Sequence, residues 1–285
     1  MTFGTTRLAL LIGLCGLLAA SLPAHAQVQQ QDVPRDLFTQ QLRQQGNSVT
    51  FCYNPDGMMA AFEQDLARAI SDVLLIESRL FALEASVLPQ PPLDHRLPLQ
   101  VAQIFVALAQ DCDAIMGFSL SPSNPAFVLV TKPYMETPTV MVTIDPELAG
   151  LDGIGKEGVV ATRGLSLADN ALINYVAAHP DARWTRSSYR TNRDLIEAAL
   201  GGQVDIALVW EPALYVATQG DPSLFGLRVL PELPFPVRPL QTGIGTRAEN
   251  TYLNQLLGDA ITELQADGTI RSLMEQHLLK PPGSD

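Results

Sequence analysis

Histidine, cysteine and tryptophan are scarce in this chain, with four, three and two among 285 residues. The histidines His95, His179 and His277 have no partner at a metal-ligand spacing such as His-x-x-x-His, so a histidine-based zinc centre has no framework. There is no Gly-x-Ser-x-Gly elbow, no phosphate-binding loop and no dinucleotide glycine pattern. Those absences remove the usual signatures of serine hydrolases, nucleoside-triphosphate enzymes and dinucleotide-dependent dehydrogenases. Asp111-Cys112-Asp113 is the nearest thing to a metal cluster, and a bridged Cys112 would leave two lone carboxylates. Basic charge is short as well: 18 lysines and arginines stand against 30 acids, a net charge of −12. Such a balance argues against nucleic acid and anionic membranes, and suits plain solubility or a basic protein partner. After the N-terminal run there is no second hydrophobic stretch of spanning length, so the body of the chain is expected to be soluble.

What is present begins with a leader. Arg7 is followed by an apolar run from Leu8 to Leu22 and by Ala24-His25-Ala26, the order of a cleavable secretory signal peptide. Cleavage after Ala26 is expected, leaving Gln27 first and a periplasmic protein; an uncleaved anchor is the alternative. Cys15 is preceded by Leu14 where a lipoprotein signal has a small residue, which argues against lipidation. Without the leader two cysteines remain, Cys52 and Cys112. In an oxidising compartment an even count reads as one disulfide, the alternative being two buried thiols.

Residues 27–45 are Gln-rich and read as a loose arm or short helix. Ser48–Tyr53 reads as a strand and Asn54–Gly57 as a turn. Phe62, Leu66, Ala69, Ile70 and Val73 recur at helical spacing over Ala60–Leu75, with Glu63, Asp65 and Arg68 on the other face. Leu80–Val87 is a second strand candidate, Pro89–Pro98 a loop, Gln100–Gln110 a helix and Cys112–Gly117 a short buried strand. This β-α-β-α-β order favours a parallel sheet covered by helices.

The pattern then restarts. Thr139–Ile144 and Gly158–Thr162 read as strands, and Leu167–His179 as a helix capped by Ser166. Asn192–Leu200 is a helix stopped by Gly201-Gly202, and Val204–Trp210 an apolar strand. Pro212–Gln219 reads as helical turns and Leu227–Leu230 as a strand. Pro231, Pro234, Pro236 and Pro239 mark an extended connection to a strand at Gln241–Gly245. Amphipathic helices at Asn250–Gln265 and Thr269–Leu279 close the chain. The expected architecture is α/β and two-lobed: leader 1–26, first lobe 27–137 plus 241–285, second lobe 138–240. Two crossings make a hinge, and the cleft between lobes is a standard place for a small ligand.

Five motifs in this order resemble the extracellular solute-binding proteins of family 3, the type II periplasmic binding-protein fold. They are Phe62-Glu63-Gln64-Asp65-Leu66, Cys112-Asp113-Ala114-Ile115-Met116-Gly117, Thr131-Lys132-Pro133-Tyr134, Gly202-Gln203-Val204-Asp205-Ile206-Ala207 and Asp267-Gly268-Thr269. The resemblance implies a receptor that closes on a solute and presents it to an ABC permease. Amino-acid binders of the family place an arginine soon after the first-lobe Asp strand and an acid at the end of the second-lobe strand. Here Ser119–Pro125 contains no arginine, and Trp210, followed by Glu211, stands at the strand end. The expected ligand is therefore small and polar but not a standard amino acid. Cys52, Cys112 and Leu208-Val209-Trp210-Glu211-Pro212 also resemble the subgroup associated with quinoprotein (pyrroloquinoline quinone) methanol dehydrogenases. That implies an alternative role, as an accessory protein to such a dehydrogenase or its cytochrome.

The candidate ligand-binding residues are Tyr53, Ser119, Ser121, Arg163, Ser166, Trp210 and Glu211. Tyr53 lies where the family often sets an aromatic face. Ser119 and Ser121 offer hydroxyls, and Trp210 ends a strand at an α/β crevice. Arg163 and Ser166 flank a helix N-terminus suited to an anion, and Glu211 could meet a cation. Each also has a bland reading, as core edge, loop, cap or solvated charge. No catalytic residue, metal or bound cofactor is expected, and a monomer is expected because closure needs both lobes free.

Overall fold

The computed structural model describes residues 47–83, 99–122, 124–155 and 157–279. These all fall within one compact unit, Thr39–Asp285. The expected leader, the Gln-rich arm and the Pro89–Pro98 loop with His95 lie outside the described residues. Among the described residues no helix is long and apolar enough to cross a membrane.

The first sheet grows from β1 (Ser48–Tyr53), whose Val49, Phe51 and Cys52 are fully buried. A strand covered on both faces can lie at the centre of a parallel arrangement, and β1 pairs in parallel with β2 (Glu77–Ala82) and β3 (Ala114–Ser119). Two helical segments make the crossovers. The first is α1 (Ala60–Leu74). The second is α2 (Leu99–Val106), which widens into a π-helical turn over Ala107–Asp111. Leu75 ends α1 in the left-handed region, with φ 53°. The strands β4 (Val128–Val130) and β5 (Met135–Thr137) both pair with β11 (Leu240–Arg247), which runs antiparallel beside β3. The order is β2-β1-β3-β11-β4, with β5 also on β11.

The second sheet has the order β10-β6-β9-β7-β8. Its strands are β6 (Thr139–Thr143), β7 (Val159–Arg163), β8 (Thr185–Tyr189), β9 (Ile206–Trp210) and β10 (Arg228–Leu230). Strand β9 is the most apolar and sits centrally. Helices α3 (Leu167–Ala178) and α4 (Asn192–Leu200) connect its parallel strands, and α5 (Glu211–Ala217) follows β9. The chain enters this sheet across Pro138 and leaves between Leu230 and Leu240. Helices α6 (Thr251–Ala266) and α7 (Thr269–Gln276) then return to the first sheet. There Leu257, Ile261, Ile270 and Met274 pack with Phe62, Leu66 and Ile70 of α1.

Several details differ from expectation. Strand β2 starts three residues before Leu80, because Glu77, Ser78 and Arg79 lie at the sheet edge where polar side chains reach solvent. Strand β3 starts at Ala114, two residues late: Cys112 N–H still bonds back to Ala107 O, and Asp113 Oδ2 is held by Thr50 N–H at 2.9 Å. Strands β4, β5 and β8 were not expected; β8 reads Thr-Arg-Ser-Ser-Tyr, a polar edge strand without an apolar signal. Glu63 is the sharpest departure. Expected on the solvent face of α1, it is 7 % exposed and points into the molecule. Cys52 and Cys112 form a disulfide with their Cα atoms 5.7 Å apart, bonding β1 to the segment that leads into β3.

Candidate functional site

A cleft of about 830 Å³ lies between the two sheets, lined from both. Its position follows from topology. The parallel strands β1, β3, β7, β8 and β9 all direct their carboxyl ends at it, where open α/β sheets leave a crevice between diverging loops. The first-lobe wall is the Asn54–Met59 turn after β1 together with the ends of β3 and β11. The second-lobe wall is the starts of α3 and α4 with the end of β9.

Glu63 stands in the first-lobe wall beside Gly117. A Cβ on Gly117 would come within 2.4 Å of Glu63 Oε1, and Gly117 has φ +73°. Glycine is needed there both for the backbone and for the carboxyl to approach. Gly117 N–H donates to the Tyr134 hydroxyl at 3.1 Å, which anchors β3 beside Glu63. Burial raises the Glu63 pKa to about 7. Burial also pushes the Tyr134 phenol well above its usual value, and the nearby Glu63 charge adds to the effect. At neutral pH Glu63 therefore exists in both forms, and its protonated form is a hydrogen-bond donor at the cleft wall. Across the floor, Thr242 lines the cleft, and its Oγ1 has no hydrogen-bond partner among the described residues.

The second-lobe wall is organised by Asp169. Its Oδ1 accepts from Thr162 Oγ1 at 2.6 Å and its Oδ2 from Leu165 N–H at 3.1 Å, while its own N–H donates to Ser166 Oγ. Arg186 lies 3.4 Å from Oδ1. This network pins the Arg163–Ser166 turn at the start of α3. Thr191 caps α4 in the same manner, accepting from Asp194 N–H at 3.1 Å. Arg163, Arg190, Arg193 and Arg238 all line the cleft. None of the four is paired with a carboxylate among the described residues, whose ion pairs involve Arg68, Arg79, Arg186 and His277.

Trp210 lines the cleft and also packs against the apolar cores of both lobes. Its indole N–H donates to Thr137 Oγ1 at 2.7 Å, tying the end of β9 to the end of β5 beside Pro138. Glu211 N–H donates to Pro138 O in the same crossing.

Of the expected residues, the structure brings Ser119, Arg163, Ser166 and Trp210 together in the cleft. It does not place Tyr53, Ser121 or Glu211 among the lining. Tyr53 packs on the first-lobe core, Ser121 lies in the loop after β3, and Glu211 opens α5. Sequence reasoning missed Glu63, Arg190, Arg193, Arg238 and Thr242. Arg190 was hidden because β8 was not recognised, so nothing marked it as the residue after a strand; Arg193 lay on the expected helix but had no signal of its own. Glu63 had no signal of its own, since its burial depends on β3 passing with a glycine beneath it. Among the described residues no group of three or more His, Cys, Asp or Glu side chains could hold a metal.

No protein-family model and no curated protein sequence matches the chain. Solved structures do. An amino acid ABC transporter substrate-binding protein of Streptococcus pneumoniae bound to L-arginine superposes with a TM-score of 0.57 at 15% identity, over 84% of this chain and 96% of that one. The unliganded, open L-cystine solute receptor of Neisseria gonorrhoeae gives 0.59 at 18%, over 84% and 95%. The second substrate-binding domain of Lactococcus lactis GlnP, in its open conformation, gives 0.59 at 14%, over 82% and 96%. The chain has the two-lobed fold of these substrate-binding proteins, the type II periplasmic binding-protein fold.

Proposed function

We propose that this protein is an exported solute receptor of the periplasmic type, which closes its two lobes on a small polar ligand and presents it to an ABC permease. The observation that carries this reading is the cleft. It is lined from both lobes, sits at the carboxyl ends of five strands, and is spanned by two chain crossings at Pro138 and 231–239. Those crossings are the hinge of the reading, with the lobes divided near 137 and 240. Solute binding in the similar structures supports it by fold alone.

The ligand is not a standard amino acid. The loop from Ser119 to Pro125 has no guanidinium to grip an α-carboxylate from the first lobe. At the second-lobe strand end, Trp210 spends its one donor on Thr137. A second reading, as accessory protein to a quinoprotein dehydrogenase or its cytochrome, draws support from the Cys52–Cys112 bond and the Trp210-Glu211-Pro212 strand end that carry that resemblance.

Thermal shift against amino acids, amines, carboxylates, alcohols and quinone cofactors separates the two. A ligand bound only by the folded state stabilises it by RT ln(1 + [L]/Kd). A melting-temperature rise of several degrees with one chemical class is expected. A flat response, joined to capture of a quinoprotein dehydrogenase on the immobilised protein, would overturn the receptor reading in favour of the accessory one.

A further inference from the structure

The four arginines of the cleft form a local charge opposite to that of the molecule. The whole chain carries 30 acids to 18 bases, yet the cleft collects four guanidiniums against three carboxyls, Asp56, Glu63 and Asp194. We propose that the cleft takes a compact polyanion, a small organic molecule with at least two carboxylate or phosphate groups, gripped chiefly from the second lobe. This rests on the receptor reading and names the ligand class for that same site.

The arginines come from separate places in the fold. Arg163 ends β7, Arg190 and Arg193 flank the N-cap of α4, and Arg238 lies on the returning crossing. A single carboxylate can meet one or two guanidinium forks; sources this far apart in the chain suit a ligand with more than one anionic group. Two helix starts share the wall. Leu167 and Ala168, the first residues of α3, line the cleft, as do Asn192 and Arg193 of α4. Ser166 and Thr191 each satisfy one first-turn N–H, and the helix ends add partial positive charge on the same side. Opposite them, Thr242 is 5 % exposed and its hydroxyl is unpartnered, a buried donor that a ligand oxygen would satisfy. A zwitterionic ligand would also need an anion near its ammonium. The second-lobe strand end carries Trp210 in place of an acid, already bonded to Thr137, and the three cleft carboxyls, Asp56, Glu63 and Asp194, are outnumbered by the four guanidiniums. The cleft volume of about 830 Å³ is ample for a molecule of citrate size.

Isothermal titration calorimetry on the purified protein tests this. The probes are citrate, succinate, 3-phosphoglycerate and inorganic phosphate, with L-arginine, L-glutamine, putrescine and glucose alongside. At least one of the first three is expected to bind with 1:1 stoichiometry and to weaken as salt is raised. Arg163→Gln and the double variant Arg190→Gln/Arg193→Gln should each lose roughly tenfold or more in affinity. These side chains are exposed or half-buried, so melting curves of the variants should overlay the wild type. The carboxylate and phosphate-ester probes tell which anionic group is meant. Saturable binding of putrescine, glucose or an amino acid, with no organic polyanion competing, would overturn the polyanion and leave the receptor reading standing. Polyanion binding unchanged in the arginine variants would place the anion elsewhere and overturn the proposal. Binding of inorganic phosphate alone would overturn it too. No heat of binding from any probe overturns the polyanion, while the receptor reading then stands or falls on the thermal-shift panel and the dehydrogenase capture.

Discussion

Glu63 and Gly117 face each other across the wall of the cleft, and the pair shows how one residue type dictates another. A carboxyl can be tucked beneath β3 only where the strand offers no Cβ, and Gly117 is that place. Burial favours the neutral acid, so the folded-state pKa lies at about 7 against an ordinary 4.5. The linkage has a definite sign. Protonated Glu63 favours the fold fully below pH 4.5, and this contribution is lost as pH rises to about 7. The span amounts to on the order of 3 kcal/mol. Glu63→Gln cannot ionise and should lack that decline. Urea unfolding at pH 4.5 and pH 7.5 checks it: the difference between the two pH values should be smaller in the variant than in the wild type. An identical difference in both would show that Glu63 does not titrate as described.

At the scale of elements, the sequence was legible where burial is simple. Ser48–Tyr53 and Asn192–Leu200 fall on the expected residues, the first because Val49, Phe51 and Tyr53 alternate on one apolar face before the Asn54–Gly57 turn, the second because Thr191 and Gly201 bound it. Ser166 caps α3 as its spacing with Asp169 predicted. The edge strands β2 and β8 were displaced or missed, since an edge strand tolerates polar side chains and gives no alternation to read. That loss propagated to the site. Ser119, Arg163, Ser166 and Trp210 reach the cleft from recognised elements, whereas Arg190 follows the unrecognised β8; Arg193 lies on the recognised α4 but carried no signal of its own. Glu63 was on the expected helix but on the wrong face, because only the tertiary position of β3 buries it. Asp169 shows what orders one of these elements. Asp169→Ala would leave the Thr162 hydroxyl and the Leu165 N–H without their acceptor. A cost of about 1–3 kcal/mol is expected in thermal unfolding, with amide exchange faster at Leu165. A variant as stable as the wild type, with Leu165 still protected, would mean the turn holds its shape without Asp169.

For the whole molecule, one device joins the lobes at their crossing. Trp210 packs on both cores and bonds to Thr137, next to the single residue, Pro138, that separates β5 from β6. In the proposed closure a pivot there, with a proline-punctuated return at 231–239, would carry the second-lobe arginines over Glu63 and Thr242. Closure on a solute is the central claim, and the distance between lobes tests it most directly. Spin labels on cysteines replacing Leu75 and Leu165, which are 83 % and 92 % exposed, report it by double electron–electron resonance in protein lacking residues 1–26, where Cys52 and Cys112 are bonded to each other. With the solute that raises the melting temperature most, the distribution should narrow and its mean should shift, and Arg163→Gln should restore the free distribution at the same solute concentration. A distribution unchanged at saturating solute would contradict the account.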